Sequence, residues 1–156
     1  MSRAFVKEAD GLEAFDELPE RLVSPHRNLV TESGLAGIEA EVARLARAYA
    51  DAQAAGDRAA LNVAARDLRY WTARRASAEL VPAPRDTDEV RFGVRVAFVR
   101  EDGRRQTYRI VGEDEADPAK GTLSYVSPMA RALLGKEVGD TVRAGGAGEV
   151  EIVAID

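Results

Sequence analysis

Asp57 is the carboxylate whose setting first suggests chemistry. It follows Gly56 between two stretches of helical periodicity. A lone acid at a hairpin tip could reach into a partner's active site and hold a metal ion there. The same pair also has a local use, because glycine suits the end of one helix and aspartate the N-cap of the next. A second acidic group, Glu113, Asp114, Glu115 and Asp117, has the look of a metal loop. It lacks the sixth-position glycine and terminal glutamate of an EF-hand, so a solvated loop is the expectation. Arg66, Arg69, Arg74 and Arg75 crowd one helix beside Tyr70 and Trp71. Arginines among aromatics suit a nucleic-acid or protein contact. They suit equally a solvated face whose arginines pair with Asp67, Glu39 or Glu41, with Trp71 on the helix seam.

Other chemistries have no residues to carry them. There is no Gly-x-Ser-x-Gly elbow, no Walker loop and no Gly-x-Gly-x-x-Gly after a strand. Gly145, Gly146 and Gly148 fall near the C-terminus with no following helix to bind phosphate. Cysteine is absent, which excludes disulfides and thiolate catalysis, and one histidine, His26, cannot make a histidine-rich metal site. No catalytic residues, cofactor or resident metal are expected, and the chain is not expected to be an enzyme. The formal charge is -5, so no global attraction for nucleic acid exists. Residues 31–81 balance seven basic against seven acidic side chains. No stretch of 18 apolar residues or signal-peptide pattern is present, and a cytoplasmic, monomeric protein without membrane contact is the expectation.

The elements that must position these residues differ in period. Residues 1–30 have no sustained repeat and read as an arm, with a short helical turn around Leu12–Leu18. Residues 31–81 read as an antiparallel coiled-coil hairpin. Thr31 is a good N-cap, and Leu35, Ile38, Val42, Leu45, Tyr49 and Ala52 step by three and four. Leu61, Ala64, Leu68, Trp71, Arg75 and Ala78 continue that spacing after Gly56-Asp57. Val81-Pro82 ends the second helix, and residues 82–88 form a linker. From residue 89 to 156 the period falls to two. Val94, Val96 and Phe98 lead into an Asp102-Gly103 turn, and Gln106–Val111, Thr122–Val126, Val138–Arg143 and Glu149–Ile155 follow as strands. Ser127-Pro128 starts a short helix that Gly135 ends. The fold class expected is α+β, an antiparallel hairpin followed by an antiparallel β domain with one short helix.

At Tyr108-Arg109-Ile110-Val111-Gly112-Glu113-Asp114-Glu115-Ala116-Asp117 and from Ser127-Pro128-Met129-Ala130-Arg131 through Gly139-Asp140, the chain closely resembles the bacterial Gre family of transcript-cleavage and elongation factors. Leu29-Val30-Thr31-x-x-Gly34-Leu35 and Arg69-Tyr70-x-Thr72 resemble the family's two helices. The resemblance implies an FKBP-like C-terminal domain that grips RNA polymerase core enzyme at its secondary channel. It implies that the coiled coil enters this channel, beside nascent RNA or DNA, where acidic tip residues help place a magnesium ion for RNA cleavage. Ser127, Pro128, Met129 and Arg131 match the docking segment. Two departures bear on activity. The family's tip glutamate, three residues after the aspartate, is Ala60 here. The hairpin is also shorter by roughly ten residues per helix, about 15 Å of reach. Both point to modulation of elongation or initiation without efficient cleavage stimulation. An active cleavage factor using Asp57 is the alternative. A prolyl isomerase and a helix-2 nucleic-acid module are weaker ones, since Phe98 and Tyr108 read as strand core.

Overall fold

A computed structural model describes residues 18–156. The helical turn expected around Leu12–Leu18 therefore lies almost wholly outside the described residues. The chain divides into two compact units: the residues up to Pro25 with Ile38–Ser77, and His26–Gly37 with Ala78–Asp156.

The helical unit is built from α1 (Glu32–Ala55), whose first turn groups with the other unit, and α2 (Arg58–Ser77). Their 24 and 20 residues correspond to about 36 and 30 Å at the α-helical rise. On α1 the steps of three and four are the ones that bury, with Ile38, Leu45 and Ala52 inside and Val42 and Tyr49 half-buried. On α2, Ala64 is buried and Leu61, Leu68 and Trp71 are half-buried. Arg75 departs from the expected seam. It lies exposed, and its guanidinium meets Glu39 of α1 at 3.3 Å, because a charged head keeps to water where it can. Arg74 is the buried member, at 1% exposure. The Glu39–Arg75 pair, near the start of one helix and the end of the other, marks the antiparallel course.

In the second unit, β1 (Asn28–Val30) and β2 (Ala78–Leu80) pair in parallel, Leu29 opposite Glu79. The Val81 N–H extends the ladder to the Val30 carbonyl at 2.9 Å. These two strands replace the end of the expected arm and the last turn of the expected second helix. The physical reason is backbone satisfaction: Asn28 and Val30 are buried, and buried N–H and C=O groups need partners.

The main sheet runs β5-β4-β3-β7-β6, from β3 (Arg95–Arg100), β4 (Arg105–Val111), β5 (Thr122–Ser124), β6 (Thr141–Arg143) and β7 (Glu149–Ile155). The α+β class is as expected, but the sheet is mixed, since β5 joins β4 in parallel with Leu123 opposite Ile110. Residues 112–121 make that return with a single 3-10 turn at Pro118–Lys120. On β7, Val150 and Ile152 bury while Glu149 and Glu151 face water, the alternation a one-faced strand requires. Their core also takes Val94, Val96 and Phe98, Ile110, and Ala130 and Leu133 of α3 (Pro128–Leu133).

Candidate functional site

Asp57 performs the local role open to it. The Gly56 N–H donates to the Gln53 carbonyl at 3.3 Å and the Asp57 N–H to the Ala52 carbonyl at 3.0 Å. These two bonds close α1 in a Schellman turn. Gly56 stands there at φ +66, a conformation costly for side-chain-bearing residues. Asp57 then caps α2, its Oδ1 accepting the Ala60 N–H at 3.0 Å. Ala60 occupies the position from which a glutamate would reach back in a capping box. The tip therefore carries one exposed carboxylate with an oxygen already engaged. Among the described residues no group of three His, Cys, Asp or Glu side chains is placed to hold a metal ion. A magnesium ion demands near-octahedral oxygen coordination, so this tip does not fit one by itself.

The candidate docking segment is ordered by a cap of its own. Ser127 Oγ accepts the Ala130 N–H at 3.2 Å, and Pro128 follows at the first helical position, where its missing donor costs nothing. Met129 packs half-buried against the core, while Pro128 and Arg131 are exposed. Arg131 has no ion pair among the described residues. Capping and packing thus account for Ser127 and Met129 structurally, and Pro128 and Arg131 are the two presented to solvent.

The four arginines of α2 do not form one patch. Arg74 is buried, Arg75 pairs with Glu39, and Arg66 lies 3.3 Å from Asp67. Arg69 is held by a residue no spacing argument selected. Glu20 sets its two carboxylate oxygens 3.0 and 3.1 Å from Arg69 Nε. That hydrogen bond, chiefly, lowers the Glu20 pKa and raises that of Arg69. The neighbouring Arg21 lies 4.0 Å over the Tyr70 ring and 5.8 Å from that of Trp71, and 3.6 Å from Asp67.

The acidic run after β4 is half-buried, not solvated, and organises the start of α1. Thr31 Oγ1 and Ser33 Oγ each donate to Glu115, at 2.6 Å to its two carboxylate oxygens. Thr31 Oγ1 also accepts the Gly34 N–H at 2.9 Å, the N-cap bond expected of it. A negative charge at a helix N-terminus is favourable. Asp117 caps the 3-10 turn by accepting the Ala119 N–H. Gly112 lies so close to β1 that a Cβ there would stand 2.4 Å from the Leu29 carbonyl oxygen. Tyr125 donates its hydroxyl to the Arg27 carbonyl. The aromatics of this unit pair with one another, Phe92 edge-on to Tyr125 and Phe98 stacked on Tyr108.

Residues 85–156 match the family model described as transcription elongation factor, GreA/GreB, C-term. Transcription elongation factor GreB of Pasteurella multocida is 35% identical over 135 residues, 74% of this chain and 85% of that protein. GreB of Neisseria meningitidis serogroup B is 42% identical over 96 residues, 58% of this chain and 59% of its own length. The chain thus spans about three fifths of that relative. Among solved structures, GreA factor homolog 1 of Thermus thermophilus aligns with a TM-score of 0.41 and 20% identity, covering 84% of this chain and 99% of that one. The likeness in sequence to a GreB factor over 85% of that protein's length defines the class. The chain belongs to the GreA/GreB family.

Proposed function

We propose that this chain binds RNA polymerase core enzyme at the secondary channel and modulates elongation or initiation without efficiently stimulating transcript cleavage. Membership of the family supports the partner. The tip supports the restriction on activity, and one observation carries it: Asp57 is a helix cap facing Ala60 where a second carboxylate would be needed. Two-metal catalysis of phosphoryl transfer needs ligands on both ions, and one shared carboxylate supplies too few. A hairpin of about 36 and 30 Å also reaches less far than the family's longer coil. The chemistry, where any occurs, belongs to the polymerase, so the chain acts as a ligand and not as an enzyme.

Docking is assigned to the start of α3, where Pro128 and Arg131 face solvent, with Ser127 and Met129 shaping the segment. Among the described residues no helix is long and apolar enough to cross a membrane, and the cytoplasm is where the polymerase would be met. An Arg131→Ala variant tests the docking. An interface hot spot is worth more than about 1 kcal/mol, so affinity for core polymerase should fall at least about fivefold with an unchanged melting curve. Unaltered affinity would remove α3 from the interface.

A further inference from the structure

We propose that a groove on the helical hairpin is the docking site of the chain's own N-terminal segment, and that Leu12 and Phe15 are the side chains that fill it. The groove measures 570 Å³ and is lined by Tyr49 of α1 and by Ala65, Leu68, Thr72, Ala73 and Ala76 of α2. Short side chains along the α2 wall leave room for large ones, and Thr72, Ala73 and Ala76 are exposed among the described residues. An apolar hollow on an otherwise charged helix is a place where burial is still to be gained.

Two observations choose the occupant. The first is where the described chain begins. Leu18 is its first residue, and Glu20 sets its carboxylate oxygens 3.0 and 3.1 Å from Nε of Arg69, which also lines the groove. The seventeen residues before Leu18 are therefore tethered at the groove itself. Its α2 wall, from Ala65 to Ala76, spans about 16 Å at the helical rise. Phe15 stands five positions before Glu20, a reach of up to about 18 Å, and Leu12 has more. The helical turn that the spacing predicts around Leu12–Leu18 sets these two side chains on one face, three positions apart. Charge is the second observation. Residues 8–17 carry Glu8, Asp10, Glu13, Asp16 and Glu17 and no basic side chain. α2 carries five arginines and a single acid, Asp67. An acidic segment with two large apolar anchors thus meets a basic helix with an apolar hollow. The hairpin of a second copy would instead set α2 against a like-charged α2, which is unfavourable.

The test uses the full chain. It has no cysteine, so Ala14→Cys gives a unique attachment point for a nitroxide, and the broadening of backbone amide signals in NMR spectra maps what the segment touches. The amides of Tyr49, Leu68, Thr72 and Ala76 should broaden strongly. Burying one large apolar side chain shifts an equilibrium by about tenfold or more. Adding Phe15→Ser should therefore reduce the broadening severalfold, and so should Ala73→Glu, which leaves the segment intact and sets an acid in the groove. Phe15 lies outside the hairpin and Ala73 is exposed, so neither change strikes the helical core. No broadening at Tyr49 and Ala76 would leave the groove to another protein and overturn the proposal, as would broadening unchanged in both variants. Broadening that passes, in a mixed sample, to isotope-labelled chains without a nitroxide would assign the groove to a second copy and overturn it too.

Discussion

At the tip, the Asp57 carboxylate holds the first turn of α2 through the Ala60 N–H. Replacing an N-cap aspartate by alanine costs about 1 kcal/mol, so Asp57→Ala should lower stability by that amount in a denaturant melt. Ala60→Glu should act in the opposite sense by a few tenths of a kcal/mol if the new side chain closes a capping box. An Asp57→Ala melt identical to wild type would show that the cap contributes nothing. Gly112 makes a harder demand. Its missing Cβ leaves room for the Leu29 carbonyl, and backbone cannot step aside as a flexible side chain does. Gly112→Ala should destabilise by about 1–3 kcal/mol, the range for overpacked sites, read from the shift of the unfolding midpoint. These residue-scale roles differ in how far the chain announces them. Gly56 and Asp57 could be read as C-cap and N-cap because both roles are set by immediate neighbours. Gly112 and Glu115 could not, since their partners Leu29 and Thr31 lie some eighty positions away in sequence.

On the scale of elements, the seam of α1 was legible for the same reason: a helix fixes which residues share a face. Leu45→Ala, at a site 3% exposed, should cost about 2–4 kcal/mol, whereas Arg75→Ala at the exposed Glu39 pair should cost less than about 1. A melt series ranking them the other way would refute the seam. The ends of the hairpin were less legible. Asn28–Val30 and Ala78–Leu80 are three residues each, too short for a period of two to stand out. The parallel course of β5 was hidden as well, because alternation says which face a strand buries but not which way its neighbour runs. The contact of the arm with α2 is a further element-scale feature, and it titrates. Glu20 in the fold lies below its ordinary value of 4.5, through its hydrogen bond to Arg69. A depressed carboxylate favours the contact above the ordinary pKa and loses it as pH falls through the lowered one. The emission of Trp71, the sole tryptophan, should therefore change in acid below pH 4.5, and Glu20→Gln should remove that transition. A Glu20→Gln protein that keeps it would place its origin elsewhere.

For the whole molecule, two separate facts combine. The β-rich unit carries the family's sequence over residues 85–156, while the hairpin tip carries a single carboxylate used as a cap. Under the proposed function, a chain with this unit and a single tip carboxylate should occupy the polymerase without driving the reaction there. The family was legible from long contiguous motifs such as Tyr108–Asp117. The state of the tip depends on one substitution, Ala60, whose meaning needs both the motif and the cap geometry. Competition on a backtracked elongation complex tests this most directly, with binding and RNA cleavage read in the same reaction beside an active Gre factor. The expected result is displacement of that factor as this protein is added, with RNA cleavage falling toward the unstimulated rate. Strong cleavage by this protein alone, or no displacement at any concentration, would contradict it.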